Sequence, residues 1–267
     1  MSKVILVTGA SSGIGRSISL YLNSRGFRVY GTCRNPSKYN FNEYELLKCN
    51  VNSIEEIDKT VNYILEKEDF IDVLVNNAGV GITGPLEETS TNDIKSAFET
   101  NLYGPINLIK KCIPSMRKNN KGLIINITSV LGYFGIPFRG VYCATKSSLE
   151  IIGEVFSMEL KKFNIKVVNV APGDFKTNIV SRRINTEISN NSFYNKEYLK
   201  SLKSANTHVE NALSPEIISK LIFNIINSKN PKVHYKVGRF IQKFSIILKN
   251  ILPDRLFEKI LLHYSKN

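Results

Sequence analysis

Short apolar runs rich in valine and isoleucine alternate with longer amphipathic stretches along most of the chain. Strands with apolar residues at consecutive positions are typical of a parallel sheet that is covered on both faces. The runs predict seven strands, at residues 3–8, 28–33, 45–51, 72–76, 123–128, 166–170 and 232–236. Because helical patterns separate these runs, we expect an α/β fold with a doubly wound parallel sheet and helices on both faces.

The helical stretches carry start signals. Ser53 and Glu56 form a capping-box pattern ahead of apolar residues at positions 57, 61, 64 and 65. Residues 97–116 and 142–160 show the same periodicity, and Ser214-Pro215 has the cap and first-turn proline of a further helix. We therefore expect a helix in each of these stretches.

Length and composition narrow the class of protein. A chain of 267 residues predicts one α/β domain with an appendage, and 42% hydrophobic composition is ordinary for a globular protein. The first strand begins at Lys3 with no apolar leader before it, and no apolar run is long enough to span a bilayer. We expect a cytoplasmic protein in which Cys33, Cys49, Cys112 and Cys143 are free thiols, mostly in the core.

The formal net charge of +13 raises the hypothesis of a nucleic-acid partner. The basic residues are spread along the chain without a block of five like charges, and no nucleic-acid-binding motif accompanies them. We therefore expect solvated surface lysines and no nucleic-acid partner. Residues 229–267 are the exception, because nine Lys and Arg stand there against two Asp and Glu.

Three glycines follow the first strand and open a helix. Gly9 permits a tight turn, whereas Gly13 and Gly15 let the backbone and the helix approach a pyrophosphate closely. The first N–H groups of the helix and its dipole then favour phosphate. A glycine-rich turn without a ligand is the alternative. The segment predicts a dinucleotide site made by Gly9, Ser11, Ser12, Gly13, Ile14 and Gly15.

The end of the second strand bears on the choice of nicotinamide cofactor. An acid at this position accepts a hydrogen bond from the ribose 2′-hydroxyl of NAD. The chain has Arg34 there and no acid before Glu43. A guanidinium pairs with the 2′-phosphate of NADP and stacks on adenine, so Arg34 predicts NADP(H). A solvent-facing loop arginine is the alternative.

Ser129, Tyr142 and Lys146 form the pattern Ser-x12-Tyr-x3-Lys. Four-residue spacing places the phenol and the ammonium on one face of a helix. A phenol is a poor acid or base at neutral pH, and a nearby ammonium favours the phenolate. We therefore expect Tyr142 to exchange a proton with a carbonyl or alcohol oxygen that Ser129 binds, while Lys146 also holds the ribose hydroxyls.

These motifs, with Asn76-Asn77-Ala78-Gly79 between them, resemble the single-domain branch of the short-chain dehydrogenase/reductase family over nearly the whole chain. The resemblance implies a Rossmann-type sheet with strand order 3-2-1-4-5-6-7. It implies that Asn101 bends its helix and holds a water that links Lys146 to solvent, as a fourth member of the catalytic set. The further cofactor contacts that it implies are Asn50, Val51, Asn77, Ala78, Gly79, Pro172, Gly173, Phe175 and Thr177, beside Tyr142 and Lys146.

The resemblance further implies interconversion of a ketone or aldehyde and an alcohol, a substrate lid at about residues 178–212, and a homodimer or homotetramer. Stretches at 132–135 and 171–175 look most like bacterial relatives of retinol and 17β-hydroxysteroid dehydrogenases, which implies a lipophilic substrate. An NAD-linked alcohol dehydrogenase and a non-catalytic nucleotide-binding regulatory protein are the alternatives. The three histidines are widely separated in sequence, so we expect no metal site.

Four apolar residues, Leu131, Tyr133, Phe134 and Phe138, precede the tyrosine of the motif. They fit the lining of a substrate pocket, and they fit core or subunit contacts equally well.

The chain divides into residues 1–238, the Rossmann-type domain with its lid, and residues 239–267, a basic amphipathic appendage. Apolar residues recur at helical spacing from Phe240 to Tyr264, with a break at Pro253 and lysines and arginines between them. The pattern predicts two short helices. They either make peripheral contact with a membrane surface or pack on the domain or a partner subunit.

Overall fold

A computed structural model of the chain describes residues 2–40, 42–177, 182–210 and 212–266. Its main sheet has the strand order β3-β2-β1-β4-β6-β7-β9, and all neighbouring strands are parallel. The strands are β1 (Val4–Val7), β2 (Arg28–Cys33), β3 (Glu45–Lys48), β4 (Val73–Asn76), β6 (Gly122–Ile127), β7 (Ile165–Pro172) and β9 (His234–Val237). Two short strands, β5 (Ile82–Thr83) and β8 (Ile184–Asn185), pair separately. Counted without these two, the order is 3-2-1-4-5-6-7, so the predicted topology is confirmed.

Helices cover both faces of the sheet. Along β1, Ile5 and Val7 join one buried cluster, whereas Val4 and Leu6 join another on the opposite face. Both faces are therefore apolar, which explains the continuous hydrophobic run in the sequence. The helices are α1 (Gly13–Ser24), α2 (Ile54–Glu68), α3 (Thr91–Phe98), α4 (Gly104–Lys118), α5 (Gly140–Glu159), α6 (Asn195–Glu210), α7 (Glu216–Asn227), α8 (Phe240–Ile251) and α9 (Asp254–Lys266).

Local capping differs from the expected pattern at α2. The Ser53 hydroxyl accepts a hydrogen bond from the backbone N–H of Glu56 at 3.2 Å, as in a capping box. The Glu56 carboxylate does not complete the box, because it accepts from the backbone N–H of Asn50 at 2.7 Å. The side chain thus ties the helix to the strand-end loop before it.

The predicted helix over residues 97–116 is interrupted. A five-residue π-helical turn, Glu99–Tyr103, separates α3 from α4 and contains the buried Asn101. A π-turn adds a residue to the helical repeat, and such insertions are frequent at functional sites.

A row of buried asparagines connects three adjacent strands to α5. The Asn76 amide donates to Asn126 at 3.0 Å, and the Asn126 amide donates to Asn169 at 3.0 Å. The Asn169 amide in turn donates to the backbone carbonyl of Glu150 in α5 at 2.8 Å. A Cβ at Gly153 would collide with the Asn169 amide, so glycine permits this close approach of α5 to β7. The row therefore sets the position of the helix that carries Tyr142.

All four cysteines are free and buried, as predicted. The C-terminal segment forms two helices, α8 and α9, that are separated at Pro253, also as predicted. Within the described part of the chain, no helix is both long and apolar enough to cross a membrane.

Candidate active site

The glycine turn between β1 and α1 has the conformation that a dinucleotide site requires. Gly9 has φ +65° and Gly13 has φ +54°, values at which other residues are strained. A Cβ at Gly15 would collide with the Gly9 carbonyl oxygen and the Asn77 amide. The three glycines are therefore required where the helix begins against the turn.

Thr8, which the sequence analysis did not single out, locks this turn to the end of β4. Its buried hydroxyl accepts hydrogen bonds from the backbone N–H groups of Asn77 at 3.0 Å and Ala78 at 2.9 Å. The Asn77 amide donates to the Thr8 carbonyl at 2.8 Å in return. A threonine that directly precedes the glycine turn was the signal available in the sequence.

The first turn of α1 is open toward an anion. The N-cap residue Ser12 makes no side-chain hydrogen bond to the helix, and no acidic residue lies in the first turn. Thr177 lies across from this helix start, since a Cβ at Gly13 would come within 3.3 Å of its side chain. N–H groups that no side chain caps fit a pyrophosphate. Ser11 is buried and Ile14 half-buried at the same turn.

Two guanidiniums lie near the end of β2. Arg34 is exposed there, and its contact with a 2′-phosphate stays a prediction. Its charge and that of Arg182 both act on the buried Cys33 thiol, whose pKa burial raises. Arg182 also donates to the Tyr39 hydroxyl at 3.1 Å. Hydrogen bonding with Ser11 and with Arg182 lowers the pKa of Tyr39. Arg182 and Tyr39 were missed because they are far apart in sequence.

Asn50 and Val51 lie in the connection between β3 and α2. The Asn50 amide oxygen accepts from the backbone N–H of Asn52 at 3.2 Å. Val51 is buried against the start of α4, where a Cβ at Gly104 would contact the Val51 carbonyl. Among the described residues, the Asn50 amide N–H groups have no hydrogen-bond acceptor.

The loop after β7 carries the predicted residues from Pro172 to Thr177. The Gly173 N–H donates to the Val237 carbonyl at 2.7 Å, and a Cβ on Gly173 would collide with Gln242 of α8. Phe175 is buried in the hydrophobic core beside Leu213, so only its backbone is available to a cofactor. The Phe175 side chain therefore serves packing.

Ser129 and Tyr142 come together at the carboxyl end of β6. Ser129 is buried in an extended conformation (φ −166°, ψ 153°), and its hydroxyl accepts from the Leu131 N–H at 3.2 Å. Tyr142 lies in the first turn of α5 and packs against the buried cluster of Ile82, Ala97 and Val141. The Ser129 side chain is near enough to the phenol to lower its pKa. The two hydroxyls therefore lie at the same end of the sheet, and their joint role at a substrate oxygen stays a prediction.

Burial and nearby charges oppose each other at Tyr142. Burial raises the pKa of the phenol, and hydrogen bonding with Ser129 and the positive charge of Arg139 partly offset it. Arg139 stands at the N-cap of α5, three residues before Tyr142, and burial lowers its own pKa to about 10. Sequence analysis missed Arg139, because no motif marks it.

Lys146 lies one turn along α5 and is buried. Its ammonium donates to the Ile127 carbonyl at 2.9 Å. Burial lowers the pKa of Lys146 to about 8, and the negative charge of Glu150 acts in the opposite direction. Glu150 itself is buried and is bonded to the Thr128 hydroxyl and to Nδ1 of His234, the latter at 3.1 Å. These two contacts fix the Glu150 carboxylate one turn after Lys146 in α5.

Asn101 and Lys146 both lie close to Gly79. Its amide donates to the Val80 carbonyl at 2.9 Å and to the Thr145 hydroxyl at 3.1 Å, and its oxygen accepts from the Val80 N–H at 2.8 Å. A Cβ at Gly79 would lie 3.2 Å from the Asn101 oxygen and 3.5 Å from the Lys146 ammonium. Gly79 therefore leaves open space in front of both groups.

The apolar residues ahead of Tyr142 hold later elements against the site. Phe134 stacks edge-to-face with Phe257 of α9, and Phe138 packs on Tyr198 of α6. The ring centroids are 5.6 Å apart in each pair. The Tyr133 hydroxyl lies 3.3 Å from Nδ1 of His234. Among the residues that the structure describes, no three His, Cys, Asp or Glu side chains form a group suited to a metal ion.

Comparisons with known proteins bear on this site. The family model described as short chain dehydrogenase matches residues 3–188. The 3-ketodihydrosphingosine reductase of Bacteroides thetaiotaomicron is 37% identical, covering 96% of this chain and 95% of that protein. Retinol dehydrogenase 8 of Bos taurus is 30% identical, covering 88% and 81%. The solved structure of ElxO with NADP bound is 26% identical, with a TM-score of 0.72 over 89% of this chain and 96% of that one.

Proposed function

Since this chain belongs to the short-chain dehydrogenase family, we propose that it is an NADP(H)-dependent oxidoreductase that reduces a lipophilic ketone to an alcohol. The observation that carries the proposal is the placement of Ser129 beside Tyr142, with Lys146 one turn away, at the sheet edge where the glycine turn begins α1. In parallel sheets this carboxyl edge is where ligands bind.

Ser129 and Tyr142 act on the substrate oxygen in different ways. Ser129 donates a hydrogen bond to it, and Tyr142 donates a proton as negative charge develops there. NADPH, when bound, supplies the hydride. Lys146 and Asn101 border the space beside Gly79, where Lys146 would hold the ribose hydroxyls. The buried setting of these groups strengthens each interaction because water does not screen it.

The preference for NADP(H) is supported by charge at the end of β2. Arg34 and Arg182 act on the same thiol, and no acid stands at this strand end. Two guanidiniums can pair with a 2′-phosphate, whereas a ribose 2′-hydroxyl needs an acceptor. ElxO, at 26% identity, is a relative whose structure contains NADP. An NAD-linked dehydrogenase is the alternative that a cofactor titration tests.

A long-chain ketone is the substrate class we propose, with 3-ketodihydrosphingosine as the compound to test first. The support is the 37% identity to the reductase named for it, over nearly the full length of both chains. We also propose that residues 178–212 act as a lid, of which 178–181 and 211 lie outside the part of the chain that the structure describes. In the described part, Tyr198 of α6 is buried and donates to the Thr83 carbonyl at 2.9 Å, beside Phe138.

We further propose a homodimer or homotetramer that works in the cytoplasm. Ile151, Val155 and Met158 form an exposed apolar row along α5, which a second copy can cover. Four free buried thiols are usual for a reducing compartment.

The test of the catalytic proposal is the change Tyr142→Phe. We expect turnover of 3-ketodihydrosphingosine with NADPH to fall by at least roughly a hundredfold, the usual effect of removing a general acid. NADPH affinity should hardly change. Tyr133→Phe, which removes a nearby hydroxyl outside the pair, is the control and should stay active. Near-normal turnover by Tyr142→Phe contradicts the mechanism, and NADPH binding without turnover of any ketone supports the regulatory alternative.

A further inference from the structure

Helix α8 presents a row of large apolar side chains to solvent. Phe240, Phe244, Ile247 and Ile251 are 76%, 39%, 48% and 71% exposed, and their spacing of four, three and four residues aligns them along one side of the helix. The rings of Phe240 and Phe244 stack on each other at 5.5 Å. We call these four residues the apolar stripe.

The opposite side of α8 holds the helix to the protein. Ile246 is buried there, and the Gln242 amide donates to the Asp174 carboxylate at 2.6 Å. The Gln242 oxygen accepts from the Asp174 N–H at 3.3 Å. A surface helix normally buries its apolar side, whereas α8 turns its largest apolar row outward. Packing on the domain therefore accounts for Ile246 but leaves the apolar stripe uncovered.

Helix α9 repeats the arrangement with basic residues beside it. Phe257 is buried against Phe134, while Leu256 and Ile260 are exposed. Lys243 of α8 and Lys259 of α9 have no carboxylate within 4.0 Å among the described residues. Apolar side chains are thus accompanied by positive charge without a protein partner.

We propose that the apolar stripe and the lysines beside it form a docking surface for a lipid bilayer that carries anionic headgroups. The apolar side chains of such a helix can be buried among acyl chains, while the basic residues beside them pair with headgroup phosphates. A second copy of the chain fits less well, because twofold pairing of these helices brings the same excess of positive charge face to face. Residues 229–267 hold nine Lys and Arg against two Asp and Glu.

The protein-facing sides of α8 and α9 contact neighbours of the candidate active site. Gln242 binds Asp174, whose charge acts on Tyr142, and Phe257 packs on Phe134, five residues after Ser129. Docking would therefore place the site close to the phase in which a lipophilic ketone is dissolved. This consequence, unlike the docking itself, rests on the proposed function.

Vesicle flotation of the full chain, without substrate, tests the docking. We expect the wild-type protein to float with vesicles of phosphatidylglycerol and phosphatidylcholine, and less with phosphatidylcholine alone. The variant Ile247→Asp/Ile251→Asp should bind at least roughly tenfold more weakly, because it puts two carboxylates into the helix side that would enter the bilayer. The control Ile54→Asp/Ile217→Asp makes the same chemical change at two exposed isoleucines of α2 and α7 and should float like wild type.

Charge is tested separately with Lys243→Gln/Lys259→Gln, which should lose the preference for anionic vesicles but keep the residual binding to neutral ones. Added salt should reduce binding in the same direction, because it screens only the headgroup attraction. Recovery of the wild-type protein in the vesicle-free fraction at low salt overturns the proposal. Loss of oligomer in Ile247→Asp/Ile251→Asp without any wild-type flotation assigns the apolar stripe to a second copy instead. Because no turnover is measured, failure of the proposed catalysis does not affect the result.

Discussion

Tyr142 and Lys146 lie one turn apart on α5, yet burial moves their pKa values in opposite directions. Burial disfavours the charged form of each group, so the phenol keeps its proton to higher pH while the ammonium loses its proton more readily. A protonated phenol is the form needed to reduce a carbonyl. Lys146 can act as a cation only while its ammonium keeps its proton. The negative charge of Glu150 favours that charged form.

The variant Glu150→Gln tests this dependence through the pH profile. Lys146, with its pKa of about 8, is charged below that pH and neutral above it, so kcat/KM should fall as pH rises through this range. Removing the negative charge of Glu150 should lower the pKa of Lys146 further. The alkaline limb of the kcat/KM profile should therefore move to lower pH. Glu154→Gln, which also removes a carboxylate beside His234, is the matched control and should leave the limb in place. An equal shift in both variants contradicts the pairing.

Cofactor choice is tested at Arg34. We expect Arg34→Asp to weaken NADPH binding by roughly ten- to hundredfold, the scale of one charge-assisted bidentate contact, and to improve NADH binding in relative terms. Fluorescence titration of both cofactors measures this directly. Lys38→Asp makes the same charge change in the same loop and should have a much smaller effect. If the wild-type protein already binds NADH more tightly than NADPH, the assignment is wrong.

At the scale of elements, the site depends on how closely α5 approaches the sheet. The asparagine row from Asn76 through Asn126 and Asn169 ends on the backbone of α5, and Gly153 leaves room for its last amide. Buried amides are costly unless they are hydrogen-bonded, so the row specifies one position for the helix. That position sets the distance from Tyr142 to Ser129.

The change Gly153→Ala tests this packing. The new Cβ collides with the Asn169 amide in the buried interface, and we expect the free energy of unfolding to fall by about 1–3 kcal/mol. Urea denaturation measures it. Gly135→Ala is the control, because a Cβ there meets nothing within 4 Å. Equal stability of the two variants would show that the helix can move away without cost.

At the scale of the whole molecule, the exposed apolar row on α5 and the apolar stripe on α8 are separate surfaces with separate tests. We expect light scattering to give the wild-type protein a mass that is a multiple of 30.2 kDa. Val155→Asp/Met158→Asp should shift it to the monomer at micromolar concentration, because two carboxylates would be buried at the interface. Phe193→Asp/Leu199→Asp, two exposed positions near and on α6, is the control. A monomeric wild-type protein contradicts the proposed assembly.

The sequence by itself determined the fold class, the strand order through the family resemblance, and the existence of the glycine turn and of helices on either side of Pro253. These features follow from local rules, since periodicity sets the element type and positive φ demands glycine at Gly9 and Gly13. The sequence also singled out Ser129, Tyr142 and Lys146, because their spacing places them on neighbouring elements.

Only the tertiary structure decided which distant groups meet. Arg182 bonds to Tyr39 across 143 positions, and the Phe175 side chain goes to the core. The fold also lets the charge of Arg139 act on the Tyr142 phenol and leaves the apolar stripe exposed to solvent. The physical reason is that a periodic pattern records which residues share a side of a helix, but whether that side meets protein or solvent depends on the packing of the whole chain.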